Sequence, residues 1–188
     1  MRGIEAHAGL DLAAGVNAID ELVDQLITAR ALAADYPVLY NVGAISGGGR
    51  ANVVAGEASA VIGIRFADAD SERELLGALA QLSPVRERSE LSVEVLSQRP
   101  TWTPGVASHA LAERCAAIAG PLGVALDSGP ANGAADTNTT GALGVPSVDG
   151  LGPDGGGAHA AHEWVSIESI AERALLLPEL LRQLGPVA

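Results

Sequence analysis

The chain has 188 residues, of which 48% are hydrophobic and only 3% aromatic, so it fits one large or two small domains with an aliphatic core. Its formal net charge of −12 argues against nucleic acid as a partner, because phosphate binding needs a basic surface. No apolar run approaches the roughly 20 residues of a membrane span, and Glu5 and His7 are untypical of a signal peptide. A cytoplasmic location without a membrane partner is therefore expected.

The single cysteine excludes an intrachain disulfide. Cys115 lies in an amphipathic helical pattern over residues 111–118. A free cysteine in such a setting behaves as a small apolar side chain. We therefore predict a buried core thiol rather than a nucleophile.

The first hundred residues alternate helical and strand patterns. Apolar residues at three- and four-residue spacing predict a helix over 15–34, and a second helix is predicted over 70–82 after capping oxygens at 68–71. Strands are predicted over 38–45, 52–66 and 91–96, with a short strand before His7. The order β-α-β-β-α-β is that of the ferredoxin-like, or split βαβ, fold.

The pattern changes after the prolines at 100 and 104. Helices are predicted over 107–119 and 167–184, short strands over 123–126 and 145–148, and a loop with a short helix over 131–142. Short strands normally join a larger sheet, so this part has too little strand structure for an independent domain. The predicted class is α/β of the α+β kind, with one domain over 1–105 and a partial α/β domain over 106–188.

Two histidines stand in glycine-flanked loops. His159 follows three glycines and precedes Glu163 by four residues, and His7 precedes Gly9 by two. Glycine permits sharp turns and lets the backbone approach other groups closely. Histidine is the commonest metal ligand and the commonest general base near neutral pH. These residues suggest a hydrolytic metal site. A catalytic zinc takes about three protein ligands, however, and two histidines do not provide them.

Each histidine also has a plainer interpretation. His7 is either a site residue or a surface histidine. His162 is either a metal ligand or, together with Glu163, a cap of the helix that begins near residue 167. His109 begins a predicted helix, and we interpret it as a surface residue of the first turn.

Two arginines and one asparagine are further candidates. Arg65 ends an apolar strand, where a guanidinium either clamps a carboxylate or stays solvated, and Arg99 before Pro100 has the same two interpretations. Asn52 lies thirteen residues before Arg65. Because an odd separation in a regular strand places two side chains on opposite faces, they serve one site only across a bulge or between chains.

Five stretches, in order along the chain, match one family. They are residues 7–9 with 15–19, residues 47–48 with 52–54, Arg65, residues 133–136 with 144–146, and residues 152–153 with 157–159 and Glu163. Each motif alone is weak, but five in register over nearly the whole chain are specific. The chain resembles the zinc-dependent metallopeptidases and deacylases that include glutamate carboxypeptidase, acetylornithine deacetylase and succinyl-diaminopimelate desuccinylase. The Arg99–Pro100 step is similar to the glutamate-carboxypeptidase-like branch.

This resemblance implies a role for each part of the chain. Residues 1–105 would be the ferredoxin-like lid that also dimerises, and residues 106–188 the C-terminal part of a catalytic domain with a two-zinc centre. The implied roles of single residues are as follows: His159 is the final zinc ligand, His7 polarises the scissile carbonyl in a partner subunit's site, Arg65 and Arg99 hold a substrate carboxylate, Asn52 binds substrate near the lid hinge, and Gly133 lines the site.

The sequence also departs from the family. The N-terminal segment that carries most zinc ligands and the catalytic glutamate has no counterpart here, so the centre is expected to be incomplete. We hypothesise the C-terminal portion of a zinc-dependent amidohydrolase or carboxypeptidase, inactive alone, which cleaves N-acyl or peptide bonds next to a carboxylate when an N-terminal half completes it. The alternative is a non-catalytic dimerisation or ligand-binding module. A homodimer through helix 15–34 or an edge strand is expected in both cases.

Overall fold

The computed structural model of the chain describes residues 1–185, in two compact units that divide between Thr101 and Trp102. Unit 1 contains a 3₁₀ turn at Leu12–Ala14, helix α1 (Ala18–Ala33), strands β1 (Val38–Gly47) and β2 (Ala58–Phe66), and helix α2 (Ala69–Ala80). Unit 2 contains α3 (Val106–Ala119), a 3₁₀ turn at Gly120–Leu122, α4 (Thr137–Ala142), β3 (Gly155–Gly156), β4 (Trp164–Val165) and α5 (Ile167–Leu184). None of these helices is both long and apolar enough to cross a membrane.

The helices of unit 1 begin where their capping residues predict. Asn17 precedes α1 and its Oδ1 accepts the backbone N–H of Ile19 at 2.9 Å. Asp68 precedes α2 and its carboxylate accepts the N–H and the hydroxyl of Ser71, which lowers the pKa of Asp68. Both predicted helices are confirmed, with ends that differ by only a few residues.

The sheet of unit 1 has the ferredoxin-like strand order. β1 pairs with β2 in antiparallel register from Val38 opposite Phe66 to the pair formed by Gly47 and Ala58, with a bulge after Val42. Residues 1–8 run antiparallel to residues 52–58 on the other side, and the chain near residue 90 follows beyond them. This arrangement confirms the predicted α+β fold.

Two predicted strands of unit 1 are only partly formed. The strand predicted over 52–66 is regular only from Ala58, since residues 51–52 form a turn. Residues 91–96 do not form the predicted strand, and Glu90 makes only an isolated bridge with Arg2. The alternation of apolar residues is present there, but no described strand pairs with it, and Leu96 is 74% exposed. Residues 1–8 likewise pair through isolated bridges instead of a regular strand.

A buried carboxylate holds the loop after α2 against α1. Glu21 is fully buried, and its oxygens accept hydrogen bonds from Gln25 Nε2 at 2.8 Å and from the backbone N–H groups of Val85 and Arg86 at 2.9 Å. Burial alone would raise the pKa of Glu21, but these bonds outweigh it and lower the pKa to about 2. The carboxylate therefore fixes residues 85–86 in place, and Gln25 Nε2 also donates to the Ser83 carbonyl at 2.8 Å.

Unit 2 is built around the contact of α3 with α5. Cys115, Leu176 and Leu180 are buried in one cluster, and burial raises the pKa of the Cys115 thiol, which confirms the predicted core thiol. Helix α5 has the predicted bounds. Its cap is Ser166, whose Oγ accepts the N–H of Ser169 at 3.1 Å, so the interpretation of His162 and Glu163 as the cap is wrong.

The two strands predicted in the middle of unit 2 are absent from the described residues. The N–H of Val124 bonds to the Ala119 carbonyl and that of Val145 bonds to Thr140, so both segments begin as continuations of a preceding helix end. Residues 123–126 and 145–148 then run without strand pairing, although Leu126 and Val148 pack on the buried cluster. The predicted short helix within 131–142 is confirmed as α4.

Candidate functional site

His7 presents a hydrogen-bond donor to solvent. Its Nδ1 accepts the backbone N–H groups of Gly9 and Leu10, both at 3.1 Å. Since Nδ1 is the acceptor, the hydrogen-bond network assigns the proton of the neutral ring to Nε2. The side chain is exposed, so its Nε2–H is available to a group from outside the chain.

Asn52 lies beside His7. The backbone of His7 pairs with that of Val53, and the Asn52 carbonyl accepts the N–H of Ala8 at 2.9 Å. Asn52 is exposed in the turn before β2, so the strand alternation used to place it does not apply. The segment after this turn, with Glu5 and residues 48–50, lines a cleft of about 460 Å³. The structure therefore brings these two predicted site residues together.

Arg65 lies at the opposite end of β2. It is exposed, pairs with Leu39 of β1, and its Nη1 donates to the Ile64 carbonyl at 3.3 Å. At about 3.3 Å per residue, the strand between Ala58 and Arg65 alone spans roughly 23 Å. Within one chain, Arg65 is therefore remote from the pair formed by His7 and Asn52.

Arg99 is exposed in an anchored segment at the end of unit 1. Glu72 of α2 accepts hydrogen bonds from Gln98 Nε2 at 2.7 Å and from the Thr101 N–H at 3.0 Å. Burial raises the pKa of Glu72, but these bonds outweigh that effect and lower it. The carboxylate thus holds the side chain of Gln98 and the backbone of Thr101, one on each side of Arg99.

His159 lies in the loop of the hairpin formed by β3 and β4. Its φ of 65° is in the left-handed region, which costs a non-glycine residue on the order of 1 kcal/mol. The Glu163 carboxylate accepts the His159 N–H at 3.4 Å, and a β-carbon at Gly157 would lie 2.8 Å from His162 Cδ2. The loop thus holds His159 exposed in a strained backbone conformation.

The described residues do not fit a complete zinc centre. Residues 1–185 contain no group of three or more His, Cys, Asp or Glu side chains placed to hold a metal ion. A catalytic zinc takes about three protein ligands, so His159 can supply only one of them. Gly133 lies in an exposed irregular segment, and an added β-carbon there would have no atom within 4 Å. No close contact of Gly133 supports the prediction that it lines a site.

One exposed apolar surface lies on the helix over 15–34, an element through which the sequence predicted a homodimer, although the sequence did not identify which residues form it. Ile19, Val23 and Ile27 of α1 are 38%, 50% and 64% exposed and follow one another at four-residue spacing. Ile45 of β1 is 64% exposed, and a β-carbon at Gly48, next to β1, would touch Ile19. We call these four residues the α1 stripe. The sequence feature that indicates this stripe is the presence of apolar residues on more than one face of α1.

Comparison with known proteins supports the resemblance in the first half of the chain. Residues 1–88 match the family described as the peptidase dimerisation domain. No curated protein is significantly similar to the chain in sequence.

Solved structures match both halves of the chain in fold. Aminopeptidase PepT from Bacillus cereus is 21% identical with a TM-score of 0.60, over 98% of this chain and 50% of that protein. A tripeptidase from Staphylococcus aureus is 20% identical with a TM-score of 0.58, over 97% of this chain and 49% of its own. An aminobenzoyl-glutamate utilization protein from Klebsiella pneumoniae is 19% identical with a TM-score of 0.55, over 98% of this chain and 45% of that protein. The chain thus spans about half the length of these structures.

Proposed function

We propose that this chain, whose first 88 residues are a peptidase dimerisation domain, is the dimerisation and C-terminal portion of a zinc-dependent amidohydrolase. Its substrates are N-acyl or peptide bonds next to a carboxylate. The observation that carries the proposal is the match of the dimerisation domain together with the fold likeness of nearly the whole chain to peptidases.

The proposed dimer forms through the α1 stripe and the neighbouring edge of β1. On that side β1 has no strand partner among the described residues, and the stripe exposes aliphatic side chains on a well-formed helix. Contiguous exposed apolar residues are typical of a protein interface, and a twofold axis lets the same patch pack on its copy.

The proposed role of His7 is to donate Nε2–H to the oxygen of the scissile carbonyl in the partner subunit's site. A fixed donor at that oxygen stabilises the negative charge that develops as the carbonyl is attacked. The separation of Arg65 from His7 and Asn52 within one chain supports a site shared between subunits. Arg65 and Arg99 would hold the substrate carboxylate, because a guanidinium binds a carboxylate through two parallel bonds.

His159 would supply one ligand of the zinc centre, and a companion polypeptide would supply the others with the general base. A zinc ion in such a site activates water and polarises the carbonyl. The chain alone is then inactive, and its location is proposed to be cytoplasmic. A second candidate function is a dimerisation or ligand-binding module without chemistry, which the match of residues 1–88 to the peptidase dimerisation domain supports.

Co-expression of the chain with the polypeptide encoded directly upstream tests these functions. N-acyl amino acids and dipeptides are offered to the purified, zinc-loaded complex. We expect hydrolysis that falls roughly 100-fold or more in His7→Ala, the size of effect known for loss of one oxyanion donor. His109→Ala, at an exposed histidine of α3, is the matched control and keeps full activity. A complex that binds zinc and hydrolyses none of these compounds would favour the non-catalytic module.

A further inference from the structure

Helix α5 holds the segment that leads into the hairpin of His159. Asp154, the residue before β3, is bound through three of its groups. Its N–H donates to Ser169 Oγ at 2.8 Å, its carbonyl accepts the Ser166 N–H at 2.8 Å, and its carboxylate accepts Arg173 Nη2 at 3.2 Å. These three partners are the cap of α5 and two residues of its first two turns. The base of the hairpin is therefore attached to one helix.

Arg173 joins two points of this segment. Its Nε donates to the Gly152 carbonyl at 3.0 Å, while its Nη2 donates to Asp154. The side chain is 11% exposed and lies one turn before buried Leu176, on the face of α5 that packs against α3. A planar guanidinium binds two acceptors in fixed directions at once, whereas a lysine ammonium is a single point charge on a flexible stem. Arg173 therefore fixes residues 152–154 against α5.

The stability of the core does not explain why an arginine is buried here. Arg173 Nη1 is buried and has no hydrogen-bond partner within residues 1–185. A buried polar group without a partner costs free energy, and an apolar side chain of similar volume often stabilises a core as well as an ion pair does. Asp154 is 68% exposed, so removal of the arginine leaves no buried carboxylate unpaired. The segment that the guanidinium orients is the better explanation.

The hairpin has few backbone pairs of its own. β3 and β4 form only two residue pairs, and a hairpin of two strands alone is marginally stable in water. At its tip the Ala160 N–H donates to the Gly157 carbonyl at 2.9 Å, which closes a turn with His159 in third place at a φ of 65°. Glycine takes a positive φ at this position most readily. A histidine keeps it only where the surrounding structure imposes it.

We propose that Arg173 is a positioning residue, which holds residues 152–154 against α5 so that the hairpin keeps His159 exposed and in the left-handed conformation. This inference rests on the proposed function, in which His159 binds a group from outside the chain, and it adds the residue that orients the histidine. Ser169 supports the same segment through the Asp154 N–H. Without the guanidinium, the turn relaxes toward conformers in which His159 has a negative φ.

Arg173→Met in the full chain, followed by NMR, tests the proposal. At a positive φ the amide and α protons of one residue lie unusually close, so His159 should give a strong intraresidue NOE cross-peak. We expect this cross-peak to fall by about threefold in Arg173→Met as the turn leaves the left-handed region. Exchange of the Ser166 N–H, which bonds to Asp154, should become about tenfold faster. Arg182→Met, at an exposed arginine of the same helix, is the matched control and should change neither.

Two further measurements separate positioning from a general loss of stability. Amide exchange at buried Leu176 and Leu180 should stay within about twofold of the wild-type rate in Arg173→Met, because α5 keeps its apolar contacts. Asp154→Asn keeps an oxygen that accepts Nη2 and should keep the His159 cross-peak, whereas Asp154→Ala should weaken it. Both variants are expected to fold, since the Asp154 side chain is mostly exposed.

An unchanged His159 cross-peak in Arg173→Met would overturn the proposal, and so would equal losses in Arg173→Met and Arg182→Met. Faster exchange along the whole of α5 would show that the arginine only stabilises unit 2, which also rejects a positioning role. If Arg173→Met does not fold, the two Asp154 variants decide the matter. Equal cross-peaks in Asp154→Asn and Asp154→Ala would then reject the role of the guanidinium.

These NMR measurements involve neither metal nor hydrolysis. A weakened cross-peak in Arg173→Met, together with hydrolysis by the co-expressed complex that His159→Ala leaves unchanged, would retain the positioning role and reject the proposed role of the histidine. An unchanged cross-peak, together with hydrolysis that His159→Ala abolishes, would reject positioning and retain the proposed function.

Discussion

Unit 1 and unit 2 differ in how many of their backbone N–H and C=O groups are paired between strands. In unit 1, β1 and β2 form nine residue pairs, and residues 1–8 extend the same sheet. In unit 2, β3 and β4 form two pairs, and the segments after Val124 and Val145 run beside a buried cluster without strand partners. Side-chain packing and side-chain hydrogen bonds, such as that of Arg173 Nε to the Gly152 carbonyl at 3.0 Å, therefore position much of unit 2. The two units thus differ in how far paired strands hold the described backbone.

Truncation of one buried leucine in each unit is the strongest test of this difference. Leu75 and Leu176 are both fully buried. We expect Leu75→Ala to lower the free energy of unfolding of unit 1 by about 3 kcal/mol, and Leu176→Ala to cost unit 2 roughly half as much, because unpaired segments relax into the cavity. Both tryptophans lie in unit 2 and both tyrosines in unit 1, so urea unfolding followed by the two fluorophores separates the units. Equal losses would mean that the units are equally well packed.

Acid should destabilise unit 1 through Glu21. Its pKa is about 2 in the folded chain against an ordinary 4.5, so its stabilisation is complete above pH 4.5 and is lost as the pH falls toward 2. The shift corresponds to about 3 kcal/mol. Tyrosine-detected unfolding between pH 6 and pH 2 measures the slope, and Glu21→Gln should flatten it. The same slope in the variant would contradict the assignment to this carboxylate.

A charge within the α1 stripe should dissociate the proposed dimer. Val23→Glu places a carboxylate in the centre of the patch, and we expect the dimer dissociation constant to rise about 100-fold, or some 3 kcal/mol. Sedimentation velocity over a range of concentrations measures it. Leu10→Glu, at a residue 85% exposed outside the stripe, is the matched control and should leave the dimer intact. Equal effects of the two variants would remove the stripe from the interface.

The hairpin loop of His159 should be sensitive to its glycine. Gly157→Ala introduces a β-carbon at a φ of 68° and within 2.8 Å of His162, so we expect a loss of about 1 kcal/mol confined to unit 2. Gly129→Ala, which meets no atom within 4 Å, should change little. Tryptophan-detected unfolding compares the two. If Gly157→Ala left the free energy of unfolding unchanged, the loop would not be held as the structure shows.

The sequence predicted local features better than pairing. Helices α1, α2, α3 and α5 were located because periodicity and capping residues such as Asn17 act within a few positions. The prediction of a strand over 91–96 was wrong. Apolar alternation is a local property of the sequence, whereas a strand forms only when a segment from elsewhere in the chain pairs with it. The same reason applies to residues 123–126 and 145–148.

Periodicity also could not separate buried from exposed apolar residues on α1. Leu22 and Val23 are both apolar and adjacent, yet Leu22 is 3% exposed and Val23 is 50% exposed. Of the candidate site, sequence motifs identified His7 and Asn52, but only the pairing of residues 1–8 with residues 52–58 places them together. The distance of Arg65 from them depends on where β2 begins, which the sequence placed six residues too early.

Zinc binding by the purified chain, measured by equilibrium dialysis against a weak chelator, tests the central claim most directly. The claim is that the chain holds part of a hydrolase centre and needs a companion for the rest. We predict no tightly held zinc, and any weak binding should disappear in His159→Ala but persist in His109→Ala. About two tightly held zinc ions per chain would show a complete centre within this polypeptide and contradict the account.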